Sequence, residues 1–267
     1  MSAPRTKKKV GQLALVAAGP GDPELLTLRA VSLLQLADTV VVDADALAIM
    51  GDHVPTETTV TVAVDADGVP LDPAGRAKLA IEAFRAGHRV VRLMAGDPFL
   101  DGTAALESAA LRRARVPFEV APGVSTLTGT AAYAGFGLTE KNAGQVHVVT
   151  DTEATIDWSS LASDGVTVVF PDAADRAGDI AQQLIEAGRK ASTPVVITRG
   201  GTTVEQRSIR STLADLPAAI KLAKQAGPGM VVIGDVVNQR DRMSWFETKP
   251  LFGWQVLVPR TQERSDD

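Results

Sequence analysis

The sequence predicts an α/β fold, because short β-branched runs alternate with longer helical patterns along the whole chain. Several of these runs are apolar without interruption, which is typical of strands in a sheet that is covered on both faces. At about 150 residues per domain, a length of 267 residues allows one large domain or two small ones. The predicted strands are residues 13–17, 39–43, 59–64, 89–93, 146–150, 166–170, 194–198 and 230–233.

Helical patterns lie between these strands, and the first of them spans residues 23–36. Its leucines at positions 26, 33 and 34 share one face of a helix. Asp22 suits the N-cap position and Pro23 the first helical position, so we expect the helix to begin there. The other predicted helices are residues 73–86, 105–113, 125–134, 173–187 and 213–225.

We expect a domain boundary near residues 138–144, where Gly135 and Gly137 precede a polar stretch. An N-terminal α/β domain of residues 10–138 and a C-terminal α/β domain of residues 139–247 would result. Residues 1–9 are interpreted as a basic flexible tail. The short apolar stretch 10–18 loosely resembles a signal peptide, but it contains Gly11 and Gln12 and runs into Gly19, so we expect a tail before a buried strand instead.

The composition argues against several classes of function. The chain has no cysteine, which excludes disulfides, thiolate metal sites and a cysteine nucleophile. A net charge of −5 and an aromatic content of 4% argue against a nucleic-acid binder. No apolar run approaches the roughly 18 residues of a membrane span, and the three histidines lack metal-ligand spacing. We therefore expect a soluble, cytoplasmic protein without a metal.

Three loops rich in glycine and proline, at residues 17–23, 95–99 and 121–126, each follow a β-type run. Loops at the carboxyl ends of parallel strands line the ligand crevice of an open sheet, so we expect these three to converge. The first loop has the spacing of neither a dinucleotide fingerprint nor a P-loop. Ordinary tight turns remain the alternative interpretation for each loop taken alone.

These loops lie inside longer motifs that follow one another in a distinctive order. The motifs are GPGDPELLTLRA (19–30), VVRLMAGDPF (90–99), VPFEVAPGVS (116–125) and YAG (133–135). Together they resemble the S-adenosylmethionine-dependent tetrapyrrole methylases, over about residues 10–247. Two later segments, GTT with QR (201–207) and RDRMSWF (240–246), are similar to the uroporphyrinogen-III C-methyltransferase branch of that family.

The resemblance implies a two-domain class III methyltransferase fold, a homodimer, and S-adenosylmethionine bound in the cleft between the domains. Members of the branch methylate two carbons of uroporphyrinogen III, which gives precorrin-2 for siroheme and cobalamin and releases S-adenosylhomocysteine. A sulfonium methyl is already activated, so such a protein mainly aligns donor and acceptor.

Site residues carry over from the family by motif. Asp43 matches the acidic residue proposed as the base that takes the proton lost after alkylation; a strand-terminal turn residue is the alternative. Four basic residues near the motifs could form a cleft for an anionic tetrapyrrole, namely Arg92, Lys141, Arg199 and Arg207. The implied cofactor contacts are Pro20, Ala95, Gly96, Asp97, Leu100, Ser125, Thr126 and Gly201.

The chain departs from the family pattern mainly on the substrate side. The lysine often found after the third strand has no counterpart near Asp65, and residues 101–103 replace an aromatic-Gly-Arg sequence. Asp172 stands where a cofactor-contacting methionine is usual. Two alternatives therefore stay open: a methylase of another precorrin, and a degenerate methylase domain that scaffolds a uroporphyrinogen-III synthase.

The last residues also suggest more than one domain. Residues 251–260 read as a new strand with a turn after it. They are either an edge strand of the C-terminal domain or the first strand of a further domain, and we favour the second. Residues 253–261 are similar to the junction in fusions of this methylase with uroporphyrinogen-III synthase, so we expect residues 248–267 to begin a synthase, fused or acting as a partner.

Overall fold

The structure is a computed structural model, and it describes residues 11–151, 155–223 and 227–254. Its N-terminal sheet has the strand order β3-β2-β4-β1-β5, and every neighbouring pair is parallel. Parallel strands place all their carboxyl ends at one edge. The strands are β1 (Gln12–Ala17), β2 (Thr39–Val42), β3 (Thr59–Val62), β4 (Arg89–Met94) and β5 (Glu119–Ala121).

The C-terminal sheet is mixed, with the strand order β6-β7-β10-β8-β9. β6 and β7 are parallel, whereas β10 is antiparallel to both of its neighbours and β9 is antiparallel to β8. β7 and β8 therefore end at the same edge. The strands are β6 (Gln145–Val148), β7 (Val166–Phe170), β8 (Pro194–Arg199), β9 (Arg207–Thr212) and β10 (Met230–Ile233).

Helices cover both sheets. Five short 3₁₀ segments accompany them, at Pro23–Leu25, Ala44–Ala46, Gly51–His53, Ala174–Arg176 and Asp235–Gln239. The α-helices are α1 (Leu28–Gln35), α2 (Leu47–Met50), α3 (Pro73–Arg85), α4 (Thr103–Arg113), α5 (Thr126–Ala134), α6 (Trp158–Leu161), α7 (Ala177–Glu186), α8 (Leu216–Ala223) and α9 (Arg240–Met243).

Helix α5 connects the two sheets. It follows β5 of the N-terminal sheet, yet its Leu127 and Ala131 are buried in one cluster with Val169, Val196 and Val232 of the C-terminal sheet. Burying this apolar surface fixes the second sheet against the first. The α/β prediction is confirmed, while the division into domains at residues 138–144 remains a prediction.

The single helix predicted over residues 23–36 is wrong. Asp22 caps only a 3₁₀ turn, through its Oδ1 and the N–H of Glu24 (2.9 Å). The chain then extends, and α1 begins after Thr27, whose hydroxyl accepts the N–H of Ala30 (3.2 Å). A threonine hydroxyl competes for backbone N–H groups in this way, which places Thr27 at an N-cap instead of inside a helix.

Two strands were not predicted. β5 has only three residues, and β9 is a polar edge strand whose residues are half-buried or exposed, so neither has a long apolar run. The other predicted strands and helices agree with the structure to within a few residues, with the 173–187 pattern beginning as a 3₁₀ turn. The described part of the predicted 251–260 strand, residues 251–254, is a turn, and the rest lies outside the described residues, as do residues 1–9.

We predict that Tyr133 resists ionisation. Its hydroxyl donates to Asp22 Oδ2 (2.8 Å), and burial together with this carboxylate raises the pKa of Tyr133 to about 12. The phenol is the only one in the chain, so its ultraviolet absorbance reports the titration directly. The stability from this contact should be complete below the ordinary pKa of about 10 and be lost as the pH rises towards 12.

Asp22→Asn is the matched variant, since asparagine can still cap the turn but carries no charge. It should lower the Tyr133 midpoint. A midpoint near the ordinary tyrosine value in the folded wild-type protein would show that the contact does not form.

Candidate functional site

The three glycine-rich loops meet at the carboxyl edge of the N-terminal sheet. We call residues 18–22 the first loop, 95–101 the second and 122–125 the third. Gly19 and Gly96 pair as an isolated backbone bridge between the first two loops. Ser125 Oγ donates to Asp97 Oδ2 (2.6 Å), which ties the third loop to the second. The convergence expected from the sequence is therefore present.

Glycine is required in these loops for two physical reasons. Gly19 and Gly96 have φ values of +82° and +64°, in the left-handed region that side chains disfavour. A Cβ at Gly123 would lie only 2.9 Å from the carbonyl oxygen of Ala17. The backbone thus forms a close-fitting, glycine-lined cradle at this edge.

A fourth loop, residues 200–206, reaches the cradle from the C-terminal sheet. The Oγ1 of Thr202 accepts the N–H of Asp22 (3.0 Å), and the N–H of Thr202 is donated to Gln206 Oε1 (2.8 Å). These bonds hold Thr202 at a φ of +68°. A Cβ at Gly201 would lie 2.6 Å from the side chain of Thr130, so Gly201 lies directly against α5. The first and fourth loops therefore meet between the two sheets.

The structure places every predicted cofactor residue on these loops or on the first turn of α5. The structure thus brings these residues together, whereas their contact with a cofactor remains a prediction. Pro20 packs on α5, since a Cβ at Gly129 would lie 2.9 Å from it. Leu100 packs against the buried cluster of the C-terminal sheet. All eight are half-buried, namely Pro20, Ala95, Gly96, Asp97, Leu100, Ser125, Thr126 and Gly201.

One atom in the cleft points to a polar ligand. Thr126 Oγ1 is buried and has no hydrogen-bond partner. It lies 3.8 Å from where a Cβ of Gly96 would be, so it faces the second loop. Buried hydroxyls are nearly always paired, and an unpaired one beside a glycine cradle fits a ligand atom at that point. S-adenosylmethionine, with its carboxylate, ammonium and ribose hydroxyls, has such atoms.

Asp43 directly follows β2 and belongs to a largely buried polar network. Its Oδ1 accepts Arg92 Nη2 (2.6 Å), and its Oδ2 accepts the N–H of Ala95 in the second loop (3.0 Å). Arg92 is fully buried and also donates to both carboxylate oxygens of Glu107, at 2.9 and 2.8 Å. Burial raises the pKa of Glu107, and the bonds from Arg92 oppose that rise.

Of the four predicted substrate cations, Arg92 is contradicted. Arg92 is 0% exposed, and its N–H groups donate to Asp43, Glu107 and the Leu93 carbonyl, so it faces no substrate. Arg199 is 8% exposed; its Nη2 contacts Asp175 (3.3 Å), while its Nε and Nη1 are buried without a hydrogen-bond partner, so its role stays open. Arg207 lies over the ring of Phe252, and Lys141 is exposed. One feature of the sequence indicates this role of Arg92: a charge inside the apolar run of β4 needs a buried partner.

A cavity of about 180 Å³ lies beside Asp43. Asp43 and Ala95 line it from the sheet edge, Asp101 and Thr103 from the start of α4, and Arg76 from α3. Ala95, at the start of the second loop, therefore belongs both to this cavity and to the glycine cradle. Sequence reasoning missed Arg76, because its position in a helix 33 residues after Asp43 gives no sign of their proximity.

Asp65 and Asp172, which stand at positions where the chain departs from the family pattern, each accept backbone hydrogen bonds. Asp65 accepts the N–H groups of Asp67 and Val69, each at 2.9 Å, and so caps an exposed turn. Asp172 accepts the N–H of Gly229 (3.1 Å) at the edge of the C-terminal sheet.

Within residues 11–151, 155–223 and 227–254, no group of three histidine, aspartate or glutamate side chains is placed to hold a metal ion. No helix in the same residues has the length and apolarity that crossing a bilayer requires.

A parallel sheet with a glycine cradle at its carboxyl edge, closed by a loop of a second sheet, defines a two-sheet α/β protein with its ligand cleft between the sheets. The chain belongs to the tetrapyrrole (corrin/porphyrin) methylases, whose family model matches residues 12–217. The predicted family and fold class are thereby confirmed.

Among curated relatives, siroheme synthase 2 of Aeromonas hydrophila is 39% identical over 251 residues, which are 91% of this chain and 52% of that protein. The siroheme synthase of Azotobacter vinelandii is 38% identical over 248 residues, 90% of this chain and 53% of that protein. The chain thus spans about half the length of these relatives.

Solved structures agree with the fold. A uroporphyrin-III C-methyltransferase from Thermus thermophilus, complexed with S-adenyl homocysteine, is 28% identical with a TM-score of 0.70. The match covers 85% of this chain and 99% of that one. A cobalt precorrin-4 methyltransferase, 24% identical with a TM-score of 0.75 over 85% of this chain and 95% of that one, supports the fold alone.

We predict that Thr126→Val weakens binding of S-adenosylhomocysteine about fivefold, since one hydrogen bond contributes about 1 kcal/mol. The hydroxyl has no protein partner, so the melting temperature should not fall. Isothermal titration calorimetry measures the first quantity and thermal unfolding the second.

Thr128→Val is the matched control. Thr128 lies two residues further along α5, is exposed, and its hydroxyl donates to the Ser125 carbonyl (3.4 Å). Equal affinities for the two variants would contradict a ligand contact at Thr126.

Proposed function

We propose that this chain transfers methyl groups from S-adenosylmethionine to carbons of uroporphyrinogen III, towards precorrin-2 on the route to siroheme and cobalamin. One observation carries the proposal: Ala95 is shared by the glycine cradle and the Asp43 cavity, and its N–H bonds the Asp43 carboxylate (3.0 Å). A donor in the cradle and an acceptor in the cavity would then meet across the second loop.

The choice of donor is supported by the unpaired Thr126 hydroxyl and by the Thermus relative, whose structure holds S-adenyl homocysteine. When bound, S-adenosylmethionine supplies an activated methyl group. Gly96, Thr126 and Gly201 would hold and orient it, and the fourth loop would exclude water from the cleft. Such alignment of two reactants supplies a large part of the rate of a transfer reaction.

Asp43 would hold the proton that the pyrrole carbon loses after alkylation. Arg92 and the N–H of Ala95 each occupy one carboxylate oxygen, which fixes the orientation of the carboxylate. Each oxygen accepts more than one hydrogen bond, so acceptor capacity towards the cavity remains. Only 13% of the side chain is exposed, which limits competition from water.

Three further parts of the proposal concern partners and location. We infer a homodimer, which the family resemblance implies, and a cytoplasmic location, which the composition favours. We also infer a uroporphyrinogen-III synthase as a fused or separate partner. The partner is inferred from the likeness of residues 253–261 to the junction of such fusions. The curated siroheme synthases that the chain matches are about twice its length.

The proposal predicts two added methyl groups. Purified protein is mixed anaerobically with uroporphyrinogen III and with S-adenosylmethionine that carries an isotopically heavy methyl group. The mass of the tetrapyrrole is then measured by mass spectrometry. Two heavy methyls per molecule support the proposal. If no methyl is transferred while S-adenosylhomocysteine still binds, the proposal is contradicted. The chain would then be a methylase of another precorrin or a degenerate methylase domain that scaffolds a uroporphyrinogen-III synthase.

Asp43→Asn is the control for the base. Asparagine keeps an acceptor for the N–H of Ala95 but cannot take a proton, so transfer should fall about 10²–10⁴-fold while S-adenosylhomocysteine affinity is retained. An unchanged rate would mean that Asp43 only positions the second loop.

A further inference from the structure

Arg76 is the basic residue among the described residues that line the Asp43 cavity. It lies in the first turn of α3, and its Nε donates to the Leu71 carbonyl (2.7 Å) while lying 3.7 Å from Asp43 Oδ1. These two contacts fix the plane of the guanidinium. Its two Nη atoms have no hydrogen-bond partner among the described residues, and 20% of the side chain is exposed.

The neighbouring charges leave Arg76 available for an incoming anion. Arg92, the other guanidinium beside Asp43, already bonds Asp43, both oxygens of Glu107 and the Leu93 carbonyl. Asp45 and Asp101 line the same cavity but are exposed to solvent, and Asp101 is engaged in capping the N–H of Thr103 (2.8 Å). An anion that enters the cavity therefore meets the two Nη atoms of Arg76, which have no hydrogen-bond partner among the described residues.

A guanidinium edge recognises a carboxylate by two parallel N–H···O bonds, and the planar geometry orients the bound group as well as attracting it. The acceptor in the proposed function carries carboxylate side chains on its pyrrole rings. A carboxylate held on the Nη edge of Arg76 would fix which ring lies beside Asp43, and hence which carbon faces the cradle.

We propose that Arg76 binds a carboxylate side chain of the tetrapyrrole acceptor and thereby selects the ring that is methylated. The inference rests on the proposed function. It assigns Arg76 to the acceptor and not to S-adenosylmethionine, because Arg76 lines the Asp43 cavity, and Ala95 is the one predicted cofactor residue that also lines it.

The test compares Arg76→Ala, Arg76→Lys and Arg85→Ala in the full chain. Arg85 is the matched control, as an exposed arginine in the last turn of the same helix. Uroporphyrin III, a stable polycarboxylate probe, is titrated by fluorescence in the presence of S-adenosylhomocysteine, whose own affinity is measured separately. Arg76→Ala should weaken uroporphyrin binding at least about tenfold, since hydrogen bonds to charged groups contribute about 1.5–3 kcal/mol.

Arg76→Lys should fall between wild type and Arg76→Ala, because lysine keeps the charge without the planar fork. Arg85→Ala should bind like wild type, and S-adenosylhomocysteine affinity should be equal in all four proteins. In methyl transfer, KM for the acceptor should rise in Arg76→Ala more than kcat falls.

Equal uroporphyrin affinity in wild type and Arg76→Ala would overturn this inference and leave the proposed function standing. A loss of S-adenosylhomocysteine affinity of the same size would also overturn it, since Arg76 would then only support the fold of the site. A wild-type protein that binds S-adenosylhomocysteine but neither binds nor methylates the tetrapyrrole would overturn the proposed function itself.

Discussion

The buried guanidinium of Arg92 is the interaction on which the rest of the site depends. It sits in β4 at the centre of the N-terminal sheet and joins Asp43 after β2 to Glu107 on α4. Asp43 in turn holds the N–H of Ala95 and so the start of the second loop. Removing one partner of a buried ion pair costs about 3–5 kcal/mol, because an unpaired charge is left in the interior. The network therefore couples the stability of the sheet to the shape of the loop.

The second constraint is the contact between the two sheets. Helix α5 packs its apolar face against the C-terminal sheet, and the bond from Asp22 N–H to Thr202 Oγ1 ties the first loop to the fourth. Tyr133 on the same helix adds a bond to the Asp22 carboxylate. Four loops from two sheets thereby enclose one cleft. Their glycines give a ligand close access to backbone N–H groups, which is how such edges bind polar cofactors.

The sequence predicts most of the fold because the inner strands of both sheets are buried on two faces and so form apolar runs; these are β1, β2, β4, β7, β8 and β10. It fails at β9, a polar edge strand, and at Thr27, where a single hydroxyl caps the start of α1. The loops of the site were predictable from glycine and proline after strands. The partners Glu107 and Arg76 were not, since contacts between α4, α3 and the sheet edge leave no periodic signal in the chain.

The most direct test is a crystal structure of the chain with S-adenosylhomocysteine. We expect the ligand in the cleft, against Gly96 and Gly201, with one of its polar atoms within hydrogen-bond distance of Thr126 Oγ1. The Asp43 cavity should remain open on the other side of Ala95. A ligand bound elsewhere, such as in the polar cavity of about 290 Å³ beside Arg189 and Lys190 at the opposite end of the C-terminal sheet, would contradict this account of the site.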